Sequence, residues 1–224
     1  MNLALFDIDG TLTDHDVIFD GLYVGIVADR LGNATIDTDW SSYPHCTDSG
    51  ITDALFRTHR GHPPTSEELV SIRDEYIAAL RETPGVAPVI HGSGSALTAV
   101  RAAGWAIGIA TGNWDSVGRT KLWRARLETD HLPLAGADHA HDRASILEEG
   151  VRRCEAHYET TFTRVVYLGD AMWDLRTTRA LAMPFVAVGA RAEQLAAGGA
   201  SHALRDYRDL SRLAAALRDA RPPR

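Results

Sequence analysis

The sequence is poor in cysteine and in long apolar runs. It has only two cysteines among 224 residues, Cys46 and Cys154, which stand far apart and fit no metal-ligand spacing. We therefore expect no disulfide framework and a reducing compartment. No apolar run approaches the roughly 18 residues that a membrane-spanning helix needs, and the first residues lack the basic region of a secretory signal. These absences predict a soluble, cytoplasmic protein.

Basic residues are in the minority, with 23 Lys and Arg against 30 Asp and Glu and a formal net charge of -7. Non-specific binding to nucleic acid or to an anionic membrane depends on a strongly basic surface, so we expect neither partner. The net charge does not exclude an anionic small molecule, because a pocket can be locally positive. The sequence leaves open whether the protein is a monomer or a homodimer.

Four short apolar runs, each followed by Gly, Asp, Thr or Asn, indicate the strands of a parallel sheet. They occupy residues 3–6, 105–110, 164–168 and 185–188. Amphipathic stripes between these runs predict helices, and one such stripe places Cys154 in the core. Strand alternating with helix is typical of an α/β fold with a Rossmann-like, doubly wound parallel sheet.

The interval between the first two predicted strands, roughly 95 residues, is far longer than a parallel crossover requires. It contains helical signals of its own, including a capping box at Thr65 and Glu68. We predict an α-helical cap domain over residues 15–88, inserted into an α/β core of residues 1–14 and 89–224. Because the insertion follows the first strand, the cap would lie over the carboxyl edge of the sheet, where α/β proteins bind ligands.

Acidic residues follow two of the predicted strands. Asp7 and Asp9 end the first strand, and Asp170 and Asp174 follow the third. Carboxylates at close range disfavour each other's ionisation, so a cation is the natural compensation. Each aspartate alone has an ordinary use as a turn former or helix N-cap, but that use does not explain the convergence of the set. Asp7 and Asp170 offer the oxygen ligands that Mg²⁺ takes, with backbone carbonyls and water completing the shell.

Residues 7–12, Asp-Ile-Asp-Gly-Thr-Leu, resemble the first motif of the haloacid dehalogenase superfamily, in particular that of its phosphatases. Residues 111–113, Thr-Gly-Asn, resemble the second motif, and Asp170 with Asp174 resembles the fourth. Arg143 best matches the basic residue of the third motif, where the family more often has Lys before Pro. The long interval after the first motif is similar to the family's inserted helical cap.

The resemblance implies roles for the four aspartates. Asp7 would attack phosphorus and form an aspartyl-phosphate, and Asp9 would protonate the leaving alcohol and then activate water. Asp7, Asp170 and the backbone carbonyl of Asp9 would bind Mg²⁺. Asp174 would orient these ligands from behind.

The resemblance also implies a set of residues that bind the substrate phosphate. They are Gly10, Thr111, Gly112, Asn113 and Arg143. Glycine allows the backbone to approach the phosphate closely, and the Thr111 hydroxyl would act in catalysis by holding a phosphate oxygen. Arg143 would offset the charge on the phosphoryl group. Lys121 is the second choice for this basic role.

Asp9 favours phosphate-ester chemistry within the superfamily. True dehalogenases lack an acid at this position, and phosphonate-cleaving relatives have Ala there. The resemblance therefore implies a Mg²⁺-dependent phosphatase that acts on a small phosphorylated metabolite, such as phosphoglycolate or a sugar or nucleotide phosphate. Two alternatives stay open: a phosphomutase similar to β-phosphoglucomutase, and a non-catalytic protein that binds a phosphorylated metabolite.

Substrate choice is expected to fall to the cap, which would close over the site. The loop at residues 43–50 offers His45, Thr47 and Asp48 as substrate contacts, although we expect Asp48 or Ser49 to N-cap the following helix. The other histidines show no zinc-type spacing. Two of them, at positions 139 and 141, are expected in the loop before the third motif, and the basic residues at 57–60 on a solvated helix face.

Overall fold

The computed structural model describes residues 1–14, 17–138 and 140–224, so the predicted start of the cap at residue 15 and His139 lie outside the described residues. Within these ranges the chain forms six strands: β1 (Asn2–Phe6), β2 (Trp105–Ala110), β3 (Leu134–Ala135), β4 (Arg164–Gly169), β5 (Phe185–Val188) and β6 (His202–Leu204). They make one parallel sheet in the order β3-β2-β1-β4-β5-β6. The predicted α/β fold with a doubly wound parallel sheet is confirmed.

Helices fall into a cap set and a core set. The cap helices follow β1 and are α1 (Val17–Arg30), α2 (Asp48–Arg60) and α3 (Ser66–Glu82), with a short 3₁₀ turn at Trp40–Ser42. The core helices are α4 (Ser93–Ala102), α5 (Asp115–Arg124), α6 (Arg143–Tyr158), α7 (Met172–Ala180), α8 (Ala192–Ala197) and α9 (Leu210–Asp219). The inserted helical cap is therefore present in the position that the long interval predicts.

The sheet separates two apolar clusters. Leu3 and Leu5 of β1 face one cluster, and Ala4 and Phe6 face the other, because successive side chains of a strand point to opposite faces. Helices α6, α7 and α8 cover the first face, and α4 and α9 cover the second. The first cluster continues into the cap through side chains of α1 and α3. Cap and core thus share buried apolar surface.

Cys154 is fully buried in the first cluster, as predicted. A Cβ atom on Gly108 of β2 would lie only 2.2 Å from the Cys154 Sγ. The absence of a side chain at Gly108 therefore lets α6 pack directly on the centre of the sheet.

Two strands were not predicted, and both lie at the edges of the sheet. β3 has two residues and β6 has three. A period-two or continuous apolar pattern needs four residues or more to stand out from a loop. Each strand joins the sheet through its inner neighbour, β3 along β2 and β6 along β5.

The starts of the cap helices include one confirmed prediction and one wrong one. At α3, the Thr65 hydroxyl accepts from the Glu68 N–H and the Glu68 carboxylate accepts from the Thr65 N–H, so the predicted capping box is present. At α2, Thr47 is the N-cap, and its hydroxyl accepts from the Gly50 N–H. The prediction that Asp48 or Ser49 caps this helix is wrong. The Asp48 carboxylate is therefore available for other contacts.

The two chain segments that join cap and core run side by side. Thr13 pairs with Val89 in an antiparallel bridge, and the Asp14 N–H donates to the Pro88 carbonyl. The exact limits of the two domains, 1–14 with 89–224 and 15–88, stay a prediction.

Arg124 of α5 fixes the second of these segments. Its buried guanidinium donates to the backbone carbonyls of Leu80, Thr83, Pro84 and Gly85. It also lies over the ring of Phe19 in α1, 5.6 Å from the ring centre. A single core side chain thus satisfies the carbonyls at the end of α3 and anchors the return of the chain from the cap.

We predict that Arg124→Met lowers the free energy of unfolding by about 2–4 kcal/mol, because it leaves several buried carbonyls without a donor. Urea unfolding followed by circular dichroism measures the change. Arg218→Met is the control, since the Arg218 side chain is 69% exposed and pairs only with its neighbour Asp219 among the described residues. We expect that control to stay within about 0.5 kcal/mol of wild type. Equal effects of the two substitutions would contradict the anchoring role of Arg124.

Candidate active site

The predicted site residues converge because three adjacent strands end at one edge of the sheet. Asp7 follows β1, Thr111 follows β2 and Asp170 follows β4, and these strands are neighbours in the order β2-β1-β4. The backbone holds the ends in register: the Asp7 N–H donates to Leu168 O of β4 at 3.0 Å. The carboxyl edge of a parallel sheet is where α/β proteins bind ligands.

Three carboxylates form a buried cluster at this edge. One oxygen from each of Asp7, Asp170 and Asp174 lies within 4.8 Å of the others. Burial, together with the neighbouring Asp7 and Asp170, raises the pKa of Asp174 to about 7, while Arg143 acts in the opposite direction. Such a cluster has the geometry and the oxygen chemistry of a divalent-cation site.

Two glycines, Gly10 and Gly189, pack closely behind this carboxylate cluster. Gly10 has a φ of +72°, and a Cβ there would lie 2.2 Å from Asp170 Oδ2. Gly189 has a φ of +82°, and a Cβ there would lie 2.4 Å from the Gly10 carbonyl oxygen. Any side chain at either position would displace the backbone that holds the carboxylates. Gly10 is thus required by its close approach to Asp170, whereas its contact with the substrate phosphate stays a prediction.

Asp174 joins the carboxylate cluster directly. Its Oδ2 accepts from the Ala171 N–H at 3.1 Å, which fixes the start of α7. Its Oδ1 lies 3.7 Å from Arg143, and the hydroxyl of Tyr167 donates to it. The expectation that Asp174 orients the cluster from behind stays a prediction, and its oxygens are also close enough to share a cation with Asp7 and Asp170.

Arg143 and Lys121 both reach the site, and each faces a different aspartate. Arg143 Nη1 lies 3.4 Å from Asp7 Oδ1, whereas Lys121 Nζ lies 2.7 Å from Asp9 Oδ2. Burial alone would lower the pKa of both groups, but Asp7 and Asp174 raise that of Arg143, and Asp9 and Tyr76 raise that of Lys121. Both side chains therefore remain cationic.

Asp9 is held at both carboxylate oxygens. Oδ2 accepts from Lys121, and Oδ1 accepts from the hydroxyl of Thr13 at 3.4 Å. Lys121 is almost completely buried. Its helix, α5, starts only a few residues after the second motif. The second choice for the third-motif basic residue thus reaches the site, with its ammonium directed at Asp9.

Arg191 is a third cation at the site and was not predicted. Its Nη2 lies 2.5 Å from Asp170 Oδ2, and its guanidinium lies over the ring of Trp173 at 5.8 Å. It follows Gly189 in the loop after β5. The only sequence signal was its position just beyond a fourth predicted strand end, where side chains of a parallel sheet meet ligands.

The second-motif loop lies beside Asp7. The Thr111 hydroxyl accepts from the Asn113 N–H at 3.3 Å. Asn113 is 8% exposed, and its Oδ1 has no hydrogen-bond partner within the described part of the chain. A Cβ on Gly112 would lie 2.8 Å from the carbonyl oxygen of Cys46 in the cap. The predicted phosphate-binding residues are therefore brought together, and Gly112 is also where the cap touches the loop.

A cavity of about 90 Å³ lies between the core residues and the cap. The predicted residues Asp7, Asp9, Thr111, Gly112, Asn113, Arg143 and Asp170 line its core side, together with Lys121 and Trp173. The cap side is lined by Asp20, Tyr23, Trp40, Cys46, Thr47, Asp48, Ile51 and Tyr76. Of the predicted cap contacts, Thr47 and Asp48 therefore reach the cavity. His45 lies instead in a separate surface groove with Arg57 and His59.

Polar bonds fasten the cap to the second-motif loop at the start of α2. The Asp48 N–H donates to Gly112 O at 2.8 Å, and the Trp114 N–H donates to Asp48 Oδ2 at 2.9 Å. The indole N–H of Trp114 donates to the Ser49 hydroxyl at 2.7 Å. Burial raises the pKa of Asp48 to about 7, although Lys121 and the Trp114 N–H act in the opposite direction. The cap is seated on the core in this structure, and Asp48 is part of the contact.

A family model for haloacid dehalogenase-like hydrolases matches residues 4–179. Among similar solved structures, β-phosphoglucomutase from Clostridium difficile has a TM-score of 0.71 at 15% identity, over 97% of each chain. A hydrolase from Pseudomonas syringae has a TM-score of 0.66 at 17% identity, over 92% of this chain and 96% of that one. CbbY from Rhodobacter sphaeroides in complex with phosphate has a TM-score of 0.62 at 17% identity, over 83% and 85%.

At these identities the solved structures show the shared fold. A search of curated proteins found no match. Within the described ranges, none of the helices has the length and apolarity needed to span a membrane.

The cap contact yields a prediction about glycine. Gly112→Ala should lower the free energy of unfolding by about 1–3 kcal/mol, because the new methyl group meets the Cys46 carbonyl and the Arg143 guanidinium. Gly21→Ala in α1 should raise it by about 1 kcal/mol, since a Cβ there meets nothing within 4 Å and Ala favours helix. Thermal or urea unfolding of both variants checks the opposite signs. A neutral or stabilising Gly112→Ala would contradict the close seating of the cap.

Proposed function

Since the chain belongs to the haloacid dehalogenase-like hydrolases, we propose that it is a Mg²⁺-dependent phosphatase of small phosphorylated metabolites. The observation that carries the proposal is the arrangement of two aspartates in separate environments. Asp7 lies in a buried carboxylate cluster beside Arg143, and Asp9 lies at the edge of the cavity in contact with Lys121. We assign Asp7 to the attack on phosphorus and Asp9 to proton transfer at the leaving oxygen.

In the first proposed half-reaction, an oxygen of Asp7 forms a bond to phosphorus while the bond to the ester oxygen breaks. Asp9 gives its proton to the departing alcohol oxygen. The product on the protein is an aspartyl-phosphate at Asp7. The contacts from Lys121 and Thr13 keep the Asp9 carboxyl group in place.

In the second half-reaction, Asp9 takes a proton from water as the water oxygen attacks phosphorus. The bond to Asp7 breaks, and inorganic phosphate and the free carboxylate result. Arg143 stays cationic beside Asp7 and offsets the negative charge of the phosphoryl group in both steps. Thr111 and Gly112 line the same cavity as Asp7, and the Thr111 hydroxyl and the Gly112 N–H would bind phosphoryl oxygens.

The cluster of Asp7, Asp170 and Asp174 fits a Mg²⁺ ion by its oxygen donors, its burial and the glycine backbone packed against it. Asp7, Asp170 and the Asp9 carbonyl are the proposed ligands, with Asp174 orienting them. A bound Mg²⁺ would supply positive charge at the phosphoryl oxygens and reduce the repulsion between the anionic nucleophile and the anionic substrate. The seated cap would exclude bulk water from this space.

We predict that Asp7→Asn reduces phosphate release by at least about a thousandfold, because the amide cannot serve as the nucleophile. A panel of phosphate monoesters with added Mg²⁺ and a free-phosphate assay measures this. Circular dichroism should show an unchanged fold, since Asn has the shape of Asp. Normal turnover by Asp7→Asn would contradict the covalent route. Failure of wild type on every ester would favour the mutase or the binding protein, and release that requires a bisphosphate activator would favour the mutase.

We predict that Mg²⁺ raises the thermal midpoint of the wild-type protein, because an ion that binds only the folded state stabilises it by about 2.7 kcal/mol at a hundred times its Kd. Asp170→Asn should reduce this shift strongly, and EDTA should reverse it. The control is Asp53→Asn in α2, whose carboxylate pairs with Arg57 away from the cluster. Equal Mg²⁺ shifts in wild type and Asp170→Asn would contradict the proposed ligand set.

A further inference from the structure

The two sides of the active-site cavity differ in charge. Among the described residues that line it, both cations, Lys121 and Arg143, come from the core and face Asp9 and Asp7. The cap side contributes two carboxylates, Asp20 and Asp48, and no basic side chain among the described lining residues. Both cations thus enter the cavity from the core side, and Lys121 also interacts electrostatically with Asp48 and Tyr76 of the cap. The end left for the rest of the substrate is negative and rich in acceptors.

Aromatic rings complete the cap side. Tyr23 lies 5.8 Å from Tyr76 and 6.2 Å from Trp40, measured between ring centres. The phenol groups of Tyr23 and Tyr76 already bond within the cap, to Thr52 and to Phe19 O respectively. Aromatic faces next to carboxylates favour a cation through charge and cation–π attraction. Among the described lining residues, the cap side itself offers an anion no basic side chain.

Asn113 adds an acceptor from the core side. Its Oδ1 is buried, lines the cavity and has no hydrogen-bond partner among the described residues. A buried acceptor without a donor costs free energy, so the bound ligand is expected to supply one. Asp48 adds a carboxylate from the cap side: it lines the same cavity, and its Oδ2 is held by the Trp114 N–H.

Resting on the proposed phosphatase function, we propose that the substrate is a phosphate monoester of a small amino alcohol, whose ammonium group is bound by Asp48 and the aromatic cap side chains. A second anionic group is excluded by the same charges. The site would therefore disfavour phosphoglycolate, whose carboxylate would face Asp48. It would also disfavour a sugar bisphosphate, which a phosphomutase has to hold at both ends.

Phosphoethanolamine and 2-phosphoglycolate form a matched pair for the test, because they have similar size and differ in the charge at the far end. We expect wild-type kcat/KM to be at least about tenfold higher for phosphoethanolamine, which corresponds to one favourable charge contact. Glycerol 1-phosphate has an uncharged far end with hydroxyl donors, and its kcat/KM should fall between the other two. A ratio at or below one would overturn the proposal.

Asp48→Asn tests the residue that carries the discrimination. Its amide oxygen can still accept from the Trp114 N–H, so the seating of the cap should be kept. We expect the ratio to fall about tenfold toward unity, through loss of phosphoethanolamine affinity rather than of kcat. Asp53→Asn, on the same helix and outside the cavity, is the matched control and should leave the ratio unchanged. A ratio that Asp48→Asn leaves intact would overturn the assignment to Asp48.

Binding to the Asp7→Asn variant separates this proposal from the proposed function. Isothermal calorimetry with the two esters reports preference without turnover. Tighter binding of phosphoethanolamine supports the proposal even if no ester is hydrolysed, and tighter binding of phosphoglycolate overturns it even if hydrolysis is fast. Hydrolysis of any ester that depends on Asp7 supports the phosphatase function whichever ester is preferred.

Discussion

The site depends on mutual repulsion among carboxylates that an apolar sheet holds at one edge. Asp7, Asp170 and Asp174 are each buried and lie within a few ångströms of one another. Such an arrangement is unfavourable unless positive charge is placed close by, because burial and like charge both favour the neutral acid. The pKa of Asp174, raised to about 7, shows that Arg143 compensates this repulsion only in part. A divalent cation bound by the cluster would supply the positive charge that is still lacking.

The second constraint is that the cap and the second-motif loop satisfy each other's polar groups. Gly112 O accepts from the Asp48 N–H, and the N–H of Trp114 donates to the Asp48 carboxylate. If the cap moved away, these polar groups would form hydrogen bonds to water instead of to each other. The shared apolar cluster would be exposed to water without any such compensation. The balance between these terms decides how readily the cap opens. The polar bonds fix the register of the cap on the loop, and burial of the shared apolar cluster favours the closed position.

The sequence predicted the residues whose chemistry is unusual and missed those whose importance comes from packing. The strand ends carrying Asp7, Thr111 and Asp170 stood out because polar residues follow buried runs. Arg191 did not, since an arginine after a short strand carries no signal until the strand order places it beside Asp170. The two edge strands were missed because two or three residues form no pattern. Their positions are set by pairing with β2 and β5.

Lys121 shows why one sequence could leave two candidates for a basic residue. Arg143 was the best match to the basic residue of the third motif, and Lys121 was the second choice for the same role. In three dimensions the two positions do not compete, because each side chain pairs with a different aspartate. Arg143 lies beside the carboxylate proposed as nucleophile, and Lys121 lies beside the one proposed for proton transfer. The site therefore has room for both cations.

The position of the α2 N-cap, at Thr47 rather than Asp48, decides where the Asp48 carboxylate lies. Thr47 takes the capping position and bonds to the Gly50 N–H, so the helix begins at Asp48 and that carboxylate points to the core loop and the cavity. Had Asp48 been the N-cap, its oxygens would have been turned to the first helical N–H groups, and their negative charge would have been offset by the helix dipole. With Thr47 in that role, the Asp48 carboxylate lines the cavity together with Lys121 and Arg143 of the core. Both cations among the described lining residues then come from the core, and the cap adds carboxylates.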